Sequence, residues 1–471
     1  MSSSTLFDKV WDAHVVKEFE DGWALLHIDR HLLHDLSGPS ALVELRKRDL
    51  AVHDSDLVFA TPDHLVSSAL RRTIDTNEFG GAMWSTLRDE ADGTGIRTFD
   101  LDSGEQGIVH VTGPEQGTVV PGLTVICGDS HTCTNGALGA LAFGVGSSQS
   151  AQALATQVLF EQRPRHMRIQ IDGALGPGVT AKDAALAIIE RLGASAGAGF
   201  AVEYAGTTVD AMDVEARLTL CNLTVELGAK FGMIAPDERT IQWVIGRPFA
   251  PTGADLDVAI RAWRELRTDD DAVFDREEAI DASTIEPTVT WGTSPEHAIP
   301  IHGTVPDPGD AADESQREAW QAALEYMGLS PGQPIAGTPV DWVFIGSCAN
   351  ARLSDLRDAA QVVAGRTVAP DVTAWVVPGS EQVRRAAESE RLDTVFRDAG
   401  FEWRMPGCSM CVAANGERVP PRARCVSTSN RNFVGRQGPE ARTHLASPAM
   451  AAAAAVTGAL IDVRVLGPRP A

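Results

Sequence analysis

Four times between residues 341 and 436 a short apolar run stops at a turn of small and polar residues. Asp341 to Ile345 leads to Gly346-Ser347-Cys348, and Val372 to Val377 leads to Pro378-Gly379-Ser380 and a helical stretch through Arg397. Phe401 to Met405 leads to Gly407-Cys408-Ser409-Met410-Cys411, and Arg424 to Ser427 leads to a polar stretch from Thr428 to Arg436. This alternation predicts a parallel sheet covered by helices, an α/β class of fold. In such sheets ligands bind beyond the carboxyl ends of the strands. The candidate functional side chains of this region all follow a strand.

Cysteines are the sharpest of those side chains. Seven in 471 residues, an odd number with no close framework, argue against a disulfide scaffold and for reduced thiols. Cys127, Cys133 and Cys221 lie among apolar or small residues and read as small buried hydrophobes. Cys348, Cys408 and Cys411 differ, because each sits at a glycine-marked turn. Plain burial would not need such turns, and a redox pair would want a thioredoxin-like setting that this region lacks. Zinc would need a fourth ligand, and the nearby Cys425 sits inside a strand pattern. An iron–sulfur cluster fits best. A four-iron cubane normally takes four thiolates; with three, one iron keeps open positions and acts as a Lewis acid.

The rest of the chain supplies acids, bases and boundaries. Its length calls for two to four domains, with breaks near 164 and 286, giving 1–164, 165–286 and 287–471. A net charge of −24 disfavours nucleic acid and anionic membrane as partners. With no signal-like N-terminus and no long apolar run, a cytoplasmic location is expected. In domain one, Trp23 to Ile28 has strand character, and His31 and His34 fall at a spacing that could share a helix face, His31 being the more ordinary of the two. Leu57 to Ala60 is a strand running into Pro62-Asp63-His64, an acid–imidazole dyad suited to proton donation. Gly107 to Val111 reads as a strand carrying His110, and Leu123 to Cys127 as one followed by Gly128-Asp129-Ser130-His131. Glycines 136, 139, 144 and 146 recur at helical spacing; the stretch lacks the ending of a phosphate loop.

In domain two, His166 to Asp172 reads as a strand and Ala181 to Leu192 as an amphipathic helix. The helical stretch from Thr219 to Lys230 is apolar except for Asn222 and Glu226, four apart on one face. Glu226 is a candidate orienter of a histidine or one half of a structural ion pair. Residues 251–290 and 303–340 read as surface helices and linkers.

Gly-Ser-Cys-Ala-Asn at 346–350, Gly-Cys-Ser-Met-Cys at 407–411, Thr-Ser-Asn-Arg-Asn-Phe-Val-Gly-Arg-Gln-Gly at 428–438 and Cys-Gly-Asp-Ser-His-Thr at 127–132 resemble, in order and spacing, the aconitase family. The similarity runs from Asp29-Arg30-His31 to Ser447-Pro448-Ala449-Met450, nearly the whole chain. It implies three α/β/α domains with mainly parallel sheets around a central cluster cavity, without the fourth, swivelling domain. It also implies one 4Fe-4S cluster per chain on Cys348, Cys408 and Cys411. Asp63 and His64 would deliver a proton to a departing hydroxyl. His110 with Asp129, and His131 with Glu226, would be carboxylate–histidine pairs, while Ser130, Asn222 and Asn430 would line the cavity. Arg431 and Arg436 would bind the carboxylates of a small dicarboxylate substrate.

The implied chemistry is dehydration followed by rehydration at the neighbouring carbon, on a 2-substituted malate. The family's proton-abstracting serine lies on the swivelling domain, so a separate small subunit carrying that domain and its catalytic base is the expected partner. Two other classes stand beside this reading: a cluster-free RNA-binding relative, which the net charge disfavours, and an electron carrier, which would need Cys425 as fourth ligand. The sequence departs from the family's usual pattern at Leu65, Asn135, Gln149, Ala349 and Ala351. Lost hydroxyls at the two alanines would alter cluster lability.

Overall fold

The computed structural model describes residues 3–73 and 76–467, so the outer ends of the expected first and third domains, 1–2 and 468–471, lie outside the described residues. The chain forms two compact units. One comprises Met1–Val66, Ile74–Ala174 and Ser195–Asp281, the other Ser67–Thr73, Leu175–Ala194 and Ala282–Ala471.

The first unit holds two parallel sheets. One has the order Arg97–Thr98, Val58–Thr61, Arg30–His34, Thr124–Cys127, Leu141–Gly144. Its chain starts at the central Arg30–His34, builds outward on one side, then returns to build the other. The strand order therefore reverses between Arg30–His34 and Thr124–Cys127. That crevice is where α/β sheets bind ligands, and Asp35 and Asp129 follow those two strands. The second sheet orders Phe231–Met233, Phe200–Ala205, Arg165–Asp172 and Arg276–Asp281, all parallel. A three-stranded antiparallel sheet of Val15–Glu18, Trp23–His27 and Val158–Gln162 completes the unit's strands among the described residues. Its N-terminal helix Leu6–His14 is fixed by a Thr5–Asp8 capping box and buries Leu6, Phe7, Val10 and Trp11 against Leu26, Phe143 and Phe231. Each such side chain contributes roughly 1.5–3 kcal/mol of burial.

In the second unit a five-stranded parallel sheet runs Glu402–Trp403, Thr373–Val376, Trp342–Ile345, Arg424–Ser427, Arg442–Leu445. Here too the first strand is central and the order reverses beside it, between Trp342–Ile345 and Arg424–Ser427. The turns bearing Cys348 and Asn430 leave the two strands that flank this point.

Several expectations are corrected. His31 and His34 lie on the strand Arg30–His34, where residues three apart point to opposite faces. Val109–Gln116 is a helix, not a strand; it is buried on nearly every side, so no amphipathic period betrays it. Residues 141–144 form a strand after a tight turn over Ser130–Leu138. The glycines there serve close approach, since a Cβ on Gly136 would sit 1.8 Å from the Gly232 carbonyl oxygen. The helix before Glu226 ends at Asn222 and tightens into a 3-10 turn over Leu223–Leu227. The stretch after Ser380 is two helices, Glu381–Ser389 and Leu392–Ala399, parted at Arg391 with φ 61°. Arg276–Asp281, expected among surface linkers, is a paired strand.

Candidate functional site

In the first unit, Asp129 gathers imidazoles. It caps the turn that follows its strand, accepting from the His131 backbone N–H at 2.8 Å. One carboxylate oxygen lies 3.4 Å from His131 Nδ1; the other lies 3.3 Å from His64 Nε2 and 3.8 Å from His110 Nε2. Burial alone would raise its pKa, but hydrogen bonds from His131 and His64 and nearby imidazole charge hold it well below the usual carboxylate range. His131 Nε2 meets Glu226 Oε1 at 2.8 Å, bridging the loop after one sheet to the helix end before the other. Asn222 donates to Thr134 Oγ1 at 2.8 Å, and Ser130 is exposed beside His131.

His64 Nδ1 hydrogen-bonds Asp63, whose other oxygen accepts from the Val109 N–H at 2.9 Å. The Gly107–Val111 stretch, being the start of a helix, thus delivers both that donor and His110. Burial pushes His110 down to about 4, so its ring is neutral at pH 7. Asn135 fixes the tautomer: its amide nitrogen donates to the Thr132 carbonyl at 3.0 Å and lies 3.3 Å from His110 Nδ1. A carbonyl can only accept, so the amide nitrogen must face both atoms. His110 Nδ1 is then an acceptor, and Nε2 carries the proton toward Asp129.

Two neighbours of this group were missed by the sequence reading as site residues. Asp35 accepts the backbone N–H groups of Asp63, His64 and Leu65 at 3.2, 2.9 and 2.8 Å, which clamps the dyad's turn. Burial, with the Asp63 charge next, lifts it to about 6. His34 stacks on His64 with ring centres 4.2 Å apart, and burial lowers it to about 4. The signal was available: His34 ends the central strand and Asp35 follows it, at the point where the sheet order reverses.

In the second unit the cysteines are buried, each 5% exposed. Asn430 touches two of them, with Nδ2 at 3.3 Å from Cys348 Sγ and Oδ1 at 3.6 Å from Cys411 Sγ. Cys411 Sγ also lies 3.2 Å from Ser347 Oγ, and the Cys411 N–H donates to the Cys408 carbonyl at 2.9 Å across a single turn. Both cysteine turns carry a serine in left-handed backbone, Ser347 at φ 84° and Ser409 at φ 49°. Such strain persists only where surroundings hold it. For Ser409 the holder is Glu417, a residue the sequence reading passed over. Its carboxylate accepts from Ser409 Oγ at 2.6 Å, Ser68 Oγ and N at 2.7 Å each, Ser67 Oγ at 2.8 Å and Arg404 at 3.1 Å.

The donor set suits a group larger than one ion. Among the described residues the only group of three or more His, Cys, Asp and Glu side chains whose ligand atoms all lie within 4.8 Å of one another, as a single ion requires, is His34, Asp35, Asp63 and His64. The three thiols are buried at adjoining turns without such crowding. Cys425 is fully buried inside its strand, where burial drives its thiol pKa far up and keeps it protonated. Arg431 is half-buried. Arg436 lies with its guanidinium 5.4 Å from the Phe433 ring centre, its buried Nε without a hydrogen-bond partner.

Comparison with known proteins adds two findings. The family described as aconitase (aconitate hydratase) matches residues 8–458. The chain is also 61% identical over 464 residues to a protein named 3-isopropylmalate dehydratase large subunit 1 from Bradyrhizobium diazoefficiens, covering 98% of this chain and 97% of that protein.

Proposed function

This chain belongs to the aconitase family, and from that premise we propose that it is the large subunit of a 3-isopropylmalate dehydratase. It interconverts 2-isopropylmalate and 3-isopropylmalate by dehydration and rehydration through 2-isopropylmaleate, a step of leucine biosynthesis. The carrying observation is the 61% identity, over 98% of the chain, to a protein of that name. Enzymes of this family generally bind a 4Fe-4S cluster. Cys348, Cys408 and Cys411 are the residues that would hold one here, and their buried, uncrowded turns support that reading. When bound, the cluster supplies a Lewis-acidic iron with positions open to substrate oxygens.

The chain's own residues divide the remaining work. Arg431 and Arg436 hold the substrate carboxylates, and the orphaned Nε of Arg436 is a donor awaiting such an anion. His64, whose Nδ1 is held by Asp63, gives its Nε2 proton to the departing hydroxyl, and Asp129, 3.3 Å from Nε2, holds that proton beforehand. His131, held by Glu226, and the neutral His110 orient the released water for its return. Ser130, Asn222 and Asn430 are the polar side chains that the family reading assigns to substrate contact. The base that removes the carbon-bound proton comes from a small subunit bearing the swivelling domain.

The three-way division at 164 and 286 belongs to the same reading: each parallel sheet serves one domain. No helix among the described residues is long and apolar enough to cross a membrane, and the enzyme works in the cytoplasm on a small dicarboxylate, not on nucleic acid. Isomerisation assayed with the cluster-loaded chain alone, with its small subunit, and across a panel of 2-alkylmalates tests the proposal. Turnover is expected only with the partner, and best with the isopropyl substrate. Full turnover by the chain alone, or preference for another alkyl group, would overturn it.

A further inference from the structure

Lys182 is the second residue of the helix Ala181–Leu192, and its side chain is fully buried in the second unit. Lysine is hardly ever found so deep without a counter-charge. Its ammonium donates to the carbonyls of Ser429 at 2.6 Å and Thr428 at 3.2 Å. Among the described residues no carboxylate stands at ion-pair distance from it. The next residue does not neutralise it, because Asp183 is spent on the N–H groups of Thr180 at 2.8 Å and Thr288 at 2.8 Å. Of the acidic groups that act on Lys182 through space, the foremost is the Cys411 thiol, followed by Asp355 and the Cys348 thiol. Burial lowers the ammonium only to about 8, so it stays charged at neutral pH.

Two properties follow from this placement. The two carbonyls belong to the turn that presents Asn430, and Asn430 touches both Cys348 and Cys411, so Lys182 fixes the backbone behind those contacts. The unpaired charge also needs an anion. A 2+ cubane on three thiolates carries one net negative charge, and two after one-electron reduction, so a buried cation close by favours the reduced form. We infer that Lys182 is a positioning residue for the cysteine-held cluster, a buried cation that raises the cluster's reduction potential and secures the Asn430 turn. The inference rests on the cluster reading given above.

Redox titration followed by electron paramagnetic resonance tests it on the full chain with reconstituted cluster, using wild type, Lys182→Met, Lys182→Gln and Lys182→Arg. Methionine keeps the bulk and removes charge and donors, glutamine keeps a donor without charge, and arginine keeps both. The reduced form should be disfavoured at least tenfold in the Met and Gln variants, which is 59 mV for one electron, while Arg stays near wild type. Loss of iron from Met and Gln with retention in Arg, in apoproteins of native circular dichroism, also supports it. A Met or Gln variant that holds its cluster at the wild-type potential overturns it, as does iron loss from Arg equal to that from Met. Wild-type chain that binds no iron overturns the cluster reading itself.

Discussion

Removing Glu226 should act on the reaction through His131. The contact is 2.8 Å, and the two side chains are only 4% and 9% exposed, so water cannot replace the lost partner well. A hydrogen bond to a charged group is worth about 1.5–3 kcal/mol, and the neutral equivalent roughly half that. Glu226→Gln keeps an acceptor and loses the charge, so it should cost about 1 kcal/mol, or about fivefold in kcat/KM. Glu226→Ala strands the imidazole and should cost about 1.5–3 kcal/mol, or about 10- to 150-fold. The assay is steady-state conversion of 2-isopropylmalate by the two-subunit enzyme at matched iron content, with thermal unfolding of each variant alongside. If Glu226 works only through His131, then Glu226→Ala adds almost nothing in a His131→Ala background. Additive losses in that cycle, or an Ala variant within twofold of wild type, would refute the reasoning.

Two further outcomes are expected. Serine in place of Cys348, Cys408 or Cys411 should abolish iron binding, whereas Cys425→Ser, in a thiol buried and protonated within its strand, should leave iron content and spectrum unchanged. Glu417 has its pKa held below the ordinary 4.5, burial being outweighed by its hydroxyl and Arg404 donors. Its contribution is therefore full above about 4.5 and lost as pH falls through the folded value. Glu417→Gln should lower the urea midpoint at pH 7, by about 1–2 kcal/mol of stability, and the gap to wild type should close as pH falls through the folded value; a gap that stays constant into acid would contradict this.

The strands that end at functional turns were legible because a fully buried parallel strand reads as a short apolar run bounded by punctuation. Trp342–Ile345, Thr373–Val376 and Arg424–Ser427 all announce themselves so. The Val109–Gln116 helix was not, because β-branched residues and burial on all sides imitate a strand. His31 and His34 illustrate the reverse error: spacing of three suggests a helix face, yet a central strand claimed them. Among the site residues, those belonging to contiguous motifs could be named. A distant partner was named only through the family resemblance, as with Glu226 for His131, and Ser68 at Glu417, 349 residues apart, was not named. Lys182 was within reach, since it shares an i, i+4, i+7 face with Leu186 and Ile189 inside an otherwise apolar stripe.

The central claim is that three thiolates leave one iron for the substrate. Mössbauer spectra of the 57Fe-loaded two-subunit enzyme, taken before and after adding 2-isopropylmalate, test it most directly. One iron in four should change its isomer shift and quadrupole splitting while the other three stay as they were. Four irons that all ignore the substrate, or a cluster already holding four equivalent sites, would contradict the account.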